Sequence, residues 1–137
     1  MTIATRKLGH VKIVSIKENH VFRRLYSKGR SAAASALVLY VRRNGSRENR
    51  LGLTVSTKVG KAVVRNRVRR RLREIYRLHQ HELTQGWDLV LVARVKAAFV
   101  PYAALERDFL KLADKLGVRH DPPSPAAPAP PPIQREF

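Results

Sequence analysis

The chain has 137 residues, 44% of them hydrophobic, enough for one packed core, and carries 28 Lys and Arg against 10 Asp and Glu. A formal net charge of +18 far exceeds what solubility needs and points to a polyanionic partner. The absence of cysteine excludes disulfides and thiolate zinc sites. No run of 18 apolar residues offers a membrane span, and Arg6, Lys7, His10 and Lys12 break any signal-peptide pattern, so a cytoplasmic location without a membrane partner is expected.

Ser15 to Glu18 has capping-box spacing, with hydroxyl and carboxylate each satisfying an amide at a helix start. A helix is predicted from there to about Lys28, with Gly29 as a left-handed cap. Within it Val21 and Leu25 face inward, and Phe22 and Tyr26 lie one step round the wheel. Residues 35–43 (SALVLYVRR) and 51–57 are strand candidates, the second alternating Leu51, Leu53 and Val55 with Gly52, Thr54 and Ser56. The linker beginning Asn44-Gly45-Ser46 suits a hairpin between them. A helix over about 62–81, a turn at Gly86 and a buried-type strand over 87–93 (WDLVLVA) follow. Pro101 opens a last helix in which Leu105, Phe109, Leu112 and Leu116 recur at helical spacing before Gly117 ends it.

The order helix, strand, strand, helix, strand, helix predicts an α+β fold, a small two-layer sandwich of helices on a sheet. From Asp121 onward seven prolines alternate with alanines, which denies that stretch helix and sheet hydrogen bonds. The predicted organisation is therefore a basic extension over 1–14, one domain over 15–120, and a disordered Pro/Ala-rich tail over 121–137. Of the cationic residues only Arg135 lies in the tail, so the positive excess belongs to the first 120 residues.

RNRVRRRLRE, residues 65–74, holds six arginines in nine positions without breaking an apolar stripe. At about 100° per residue, Val64, Val68, Leu72 and Ile75 share one face, with Tyr76 at its margin. Asn66, Arg70, Arg73 and Arg77 fall opposite, flanked by Arg67 and Arg69, while Arg65 and Arg71 lie near the apolar arc. Solvated charged faces usually mix signs, whereas Glu74 is the sole carboxylate of this segment. Guanidinium groups grip phosphate oxygens two at a time and keep their charge, so this face is a candidate nucleic-acid surface.

Phe22 and Tyr26, four residues apart, read either as core or, with Tyr40 on a half-exposed sheet, as a platform for unpaired bases. Lys58 stands just before the arginine helix, where free amides also favour phosphate. Gly60-Lys61 lacks the glycine-rich loop and following hydroxyl of a P-loop. A self-sufficient nuclease is disfavoured: the closest carboxylates (Glu106, Asp108 and Asp114) lie on one helix, where Glu106 and Asp108, two apart, point in different directions, as do His79 and His81. The arginine helix has no short partner helix immediately before it, so a helix-turn-helix DNA binder is not expected.

At Arg65-Asn66-Arg67 followed by VRRRLRE the chain resembles the protein component of bacterial ribonuclease P. Phe22 and Tyr26 before Lys28-Gly29, LVLY at 37–40, LGLTVSTKVGKAVVRNR at 51–67 and DLVLVAR at 88–94 continue the likeness over about residues 10–118. The resemblance implies the two-layer sandwich of a ribosomal protein domain (the ribosomal protein S5 domain 2-like fold), with a left-handed β-α-β crossover. It also implies a non-catalytic protein subunit of an endoribonuclease. A catalytic RNA subunit with bound Mg2+ would cleave the 5′ leader from precursor tRNA, and no residue of this chain would be catalytic or bind metal. On that likeness Arg65, Asn66, Arg67, Arg69, Arg70, Arg73 and Arg77 dock on the catalytic RNA. Phe22, Tyr26, Tyr40 and Lys58 line the cleft for the leader, with Tyr26 at a position often occupied by phenylalanine. The alternative from the residues alone is a ribosomal or other structural RNA-binding protein with no processing role.

Overall fold

The computed structural model describes residues 12–120; the predicted tail and most of the predicted extension lie outside the described residues. The elements are α1 (Asn19–Lys28), β1 (Arg30–Ala33), β2 (Leu37–Arg43), β3 (Arg50–Thr54), α2 (Ala62–His79), β4 (Trp87–Ala93) and α3 (Tyr102–Leu116). They build the expected α+β sandwich with one strand more than predicted. That strand, β1, pairs antiparallel with β2 through Arg30↔Val41 to Ala33↔Val38.

The sheet order is β1-β2-β4-β3, with β4 antiparallel to β2 and parallel to β3. The hairpin expected between β2 and β3 therefore does not form, because β4 lies between them. The reason is apolar content on both faces of β4: Leu89 and Leu91 are fully buried on one side and Val90 on the other, a load only a central strand can bury. Asn44 organises the intervening loop instead. Its amide nitrogen donates to Glu48 O and Asp88 Oδ1, and its Oδ1 accepts from the Ser46 amide.

The capping box at Ser15 is also absent. Ser15 is drawn into a parallel bridge with Leu51, fixed by Ile16 N–H to Leu51 O (2.9 Å) and Leu51 N–H to Val14 O (2.8 Å). Glu18 then stands at the N-cap of α1 without a side-chain cap bond. This bridge shields the outer edge of β3, and with Ile13 packed on the core the folded part begins ahead of residue 15. Gly29 does end α1, but in extended backbone (φ −77°, ψ 162°) rather than left-handed. Glycine is required there by close approach, since a Cβ would sit 2.6 Å from Leu25 O and 2.9 Å from Val41 O. Gly117, by contrast, is a left-handed cap (φ 73°) whose N–H closes the last turn of α3.

One face of the sheet presents Leu37, Leu39, Val41, Leu51, Leu89 and Leu91 to α2 and α3. The helices answer with Val68, Leu72, Ile75 and Tyr76, and with Leu105, Phe109, Leu112 and Leu116. Tyr76 meets Phe109 edge-on at 6.4 Å between centroids, and burial pushes the Tyr76 phenol well above its ordinary range. At the far end of α2, His79 lies between Glu82 (2.7 Å) and Glu106 (2.6 Å), and Arg119 joins Glu82 to Asp114. These pairs tie α2 to α3.

The opposite face is covered only in part, by α1. Ile16 and Leu25 bury Val90, while Val21, Phe22, Tyr40 and Val92 remain half-buried around them. On the same side Asp88, 6% exposed, takes both Nε and Nη2 of Arg50 (2.8 and 2.7 Å) and the Asn44 amide (3.0 Å). The hydrogen bond to Asp88 raises the Arg50 pKa further.

Candidate nucleic-acid interface

Helix α2 runs 18 residues from an extended N-cap at Lys61, and arginine and leucine favour that conformation. Burial of Val68, Leu72, Ile75 and Tyr76 fixes its rotation, with Val64 half-buried at one end. Asn66, Arg67, Arg70 and Arg73 are consequently exposed, as the wheel predicts, and Arg69 is half-buried at the flank. Arg65 folds back so that its Nε donates to Gly60 O (3.1 Å), and Arg69 Nη1 donates to Asn66 Oδ1 (3.0 Å). Asn66 thus orients a neighbouring guanidinium. The guanidinium groups of Arg67 and Arg71 reach the carbonyls of Ala98 and Val100, each at 3.5 Å.

Arg77 departs from the expectation of an open guanidinium row. Its Nε and Nη2 are held by Glu74 at 3.1 and 2.7 Å, which lowers the Glu74 pKa and raises that of Arg77. Among the described residues no other arginine between 65 and 77 is paired with a carboxylate. Six guanidinium groups along one edge of the molecule keep their charge available.

The aromatic residues come together on the other side of the sheet. Phe22 and Tyr26 lie 6.4 Å apart on α1, and Tyr26 meets Tyr40 of β2 edge-on at 5.0 Å. The Tyr26 ring, 40% exposed, is anchored by its hydroxyl to Thr54 Oγ1 (2.6 Å) at the end of β3. Register extends this floor: Val38 stands opposite Val92, which stands beside Thr54, and all three are half-buried. Gly52 permits it, since a Cβ there would meet the Phe22 ring at 2.6 Å.

The result is a half-exposed aromatic and aliphatic strip across the sheet, called the trough below. Lys58 is exposed in the short turn Thr57–Val59, on the path from the trough to α2. Sequence reasoning did not find Thr54, Val38 or Val92. Period-two alternation from Tyr40 would have reached Val38, but the other two need the strand order.

Six of the eight carboxylates among the described residues are engaged: Asp88 by Arg50, Glu74 by Arg77, Glu82 and Glu106 by His79, Asp114 by Arg119, and Asp108 by the Ala36 amide. Among the described residues no three His, Asp or Glu side chains gather where they could hold a metal ion. None of the helices among them is long and apolar enough to cross a membrane.

The family model for ribonuclease P matches residues 12–117. The chain belongs to the ribonuclease P protein family. It is 44% identical over 104 residues to the ribonuclease P protein component of Natranaerobius thermophilus, covering 76% of this chain and 90% of that one. The ribonuclease P protein component of Alkaliphilus oremlandii is 41% identical over 103 residues, covering 75% and 90%. The solved ribonuclease P protein of Staphylococcus aureus superposes with a TM-score of 0.73 at 31% identity, covering 80% of this chain and all of that one. That of Thermotoga maritima gives 0.66 at 29% identity, covering 71% and 92%. Membership makes the chain an RNA-binding protein subunit of an endoribonuclease holoenzyme that acts in tRNA processing.

Proposed function

We propose that this subunit docks on the catalytic RNA of ribonuclease P through α2 and holds the single-stranded 5′ leader of precursor tRNA in the trough. The observation that carries the reading is the separation of two chemistries onto opposite sides of one sheet. A row of guanidinium groups suits the phosphates of a folded RNA, and partly exposed rings suit unpaired bases. Arg65, Asn66, Arg67, Arg69, Arg70 and Arg73 form the docking surface, with Arg77 muted by Glu74; Phe22, Tyr26, Tyr40 and Lys58 serve the leader. Bond breaking falls to the RNA with its Mg2+ ions. Among the described residues no group of carboxylates gathers where it could hold metal ions, whereas metal-assisted phosphodiester hydrolysis needs several within a few ångströms.

What the protein then contributes is binding: affinity for substrates that still carry a leader, and cationic charge that lowers the magnesium needed. Adding the chain to the candidate catalytic RNA at low magnesium should restore leader removal, which protein alone should not perform. Phe22→Ala with Tyr40→Ala should weaken binding of precursor tRNA more than mature tRNA. Equal losses on both substrates would take these residues out of the leader site, and processing by protein without RNA would overturn the division of labour.

A further inference from the structure

Phe99 has no part in either surface so far, yet its side chain is 79% exposed. It follows the short helical turn Val95–Ala98, which connects β4 towards α3 and packs against α2. Scattered exposed apolar residues are ordinary, but this one has particular neighbours. The guanidinium groups of Arg67 and Arg71 reach the carbonyls on its two sides, Ala98 and Val100. Val95 (50% exposed) in the same turn and Val63 (80% exposed) on the first turn of α2 add apolar surface. A solvent-facing ring whose flanking carbonyls are reached by two arginines lies beside charge that attracts phosphate and repels another basic copy of this chain. Its flat face can accept a base of any identity, since every base has a π-face.

We propose that Phe99 is a stacking platform for an unpaired nucleobase of the catalytic RNA, with Arg67 and Arg71 holding the phosphates that flank it. This rests on the docking role of α2 proposed above and adds a non-electrostatic contact to it. The two contributions separate by salt: phosphate contacts weaken as salt rises, and stacking does not.

The test measures affinity of the full chain for ribonuclease P RNA, without precursor tRNA, across a salt series. Phe99→Ala should weaken binding about 5- to 150-fold, the range for a stacked base, with the salt slope unchanged. Phe99→Tyr should restore most of it. Thermal unfolding should not move, because the side chain lies outside the core. If Phe99→Ala binds like the parent while the parent binds tightly, the platform is refuted and the docking helix stands. If the parent shows no preference for this RNA over an unrelated folded RNA, the docking reading fails first. Loss of a dimer in Phe99→Ala with RNA affinity intact would assign the patch to self-association and overturn the proposal.

Discussion

Replacing Arg70 and Arg73 with glutamine keeps side-chain length and helix preference while deleting two guanidinium groups that meet no carboxylate among the described residues. Each lost phosphate contact should flatten the salt dependence of RNA binding by about 0.7–0.9 log units of affinity per log unit of salt. Two contacts lower the slope by about 1.4–1.8, so over a fourfold rise in salt the variant should lose about 7- to 12-fold less affinity than the parent. Arg77→Gln provides the internal control. Glu74 already occupies both its Nε and Nη2, so its slope should change by well under about 0.7. Glu74→Gln should do the reverse, releasing Arg77 and deleting a negative charge from the ridge, and so steepen the slope. The assay is the Kd for ribonuclease P RNA at fixed magnesium over four or more salt concentrations. An Arg77→Gln slope as flat as that of a single Arg70 or Arg73 variant would refute the pairing argument. An unchanged slope in the double variant would refute the ridge itself.

Three further outcomes are expected. Asp88→Ala strands the Arg50 guanidinium and the Asn44 amide. It should cost about 2–3 kcal/mol in denaturant unfolding, less than for a wholly buried pair because Arg50 is partly solvated. His79 is desolvated, which alone would lower its pKa, but the hydrogen bonds it donates to Glu106 and Glu82 outweigh this and raise it. Its stabilising contribution is thus complete below the ordinary histidine value of about 6.5 and fades as pH climbs through the raised folded value. The stability gap between the parent and His79→Gln should therefore narrow from pH 6 to pH 9, and a gap independent of pH would contradict the bridge. Gly52→Ala places a methyl against the Phe22 ring, which must move. Binding of precursor tRNA should fall about fivefold or more while mature tRNA is little affected, and a variant that binds both normally would show the ring to be dispensable.

Much of this architecture was legible because burial is written in periodicity. Val68, Leu72 and Ile75 fix the rotation of α2 whatever surrounds it, so the exposed arginines follow from the wheel. The same holds for α3, and WDLVLVA marks β4 to the residue. What escaped depends on partners distant in sequence. β1 is Arg-Ser-Ala-Ala, with no strand preference of its own, and exists because β2 offers an edge. Ser15 has a local option, capping α1, and a distant one, bridging to Leu51, and the distant one prevails. The Asn-Gly-Ser linker carries hairpin chemistry, yet strand order is decided by β4, which lies over forty residues downstream of it and needs neighbours on both sides. The trough was half legible for the same reason: its aromatics are local to α1 and β2, but Thr54 joins them only through that order.

Strand order also explains how the arginine edge and the aromatic trough come to be related rigidly. Because β3 runs parallel to β4 at the sheet edge, its C-terminal end leads through a single turn into α2. Thr54, which anchors the Tyr26 hydroxyl, and Lys61, which caps the arginine helix, are only seven residues apart, with Lys58 between them. A β2–β3 hairpin would have left β3 beside β2 and denied β4 its central place. In the observed order a buried Val59 and the closed edge at Ser15–Leu51 stiffen the connection. If α2 is seated on a folded RNA, the position of the trough is set by backbone rather than by flexible side chains. A subunit that only raised local charge would need no such coupling. Lengthening the 55–60 turn with two glycines should therefore reduce leader-dependent affinity while sparing affinity for the catalytic RNA. Equal retention of both would mean that the two surfaces act independently.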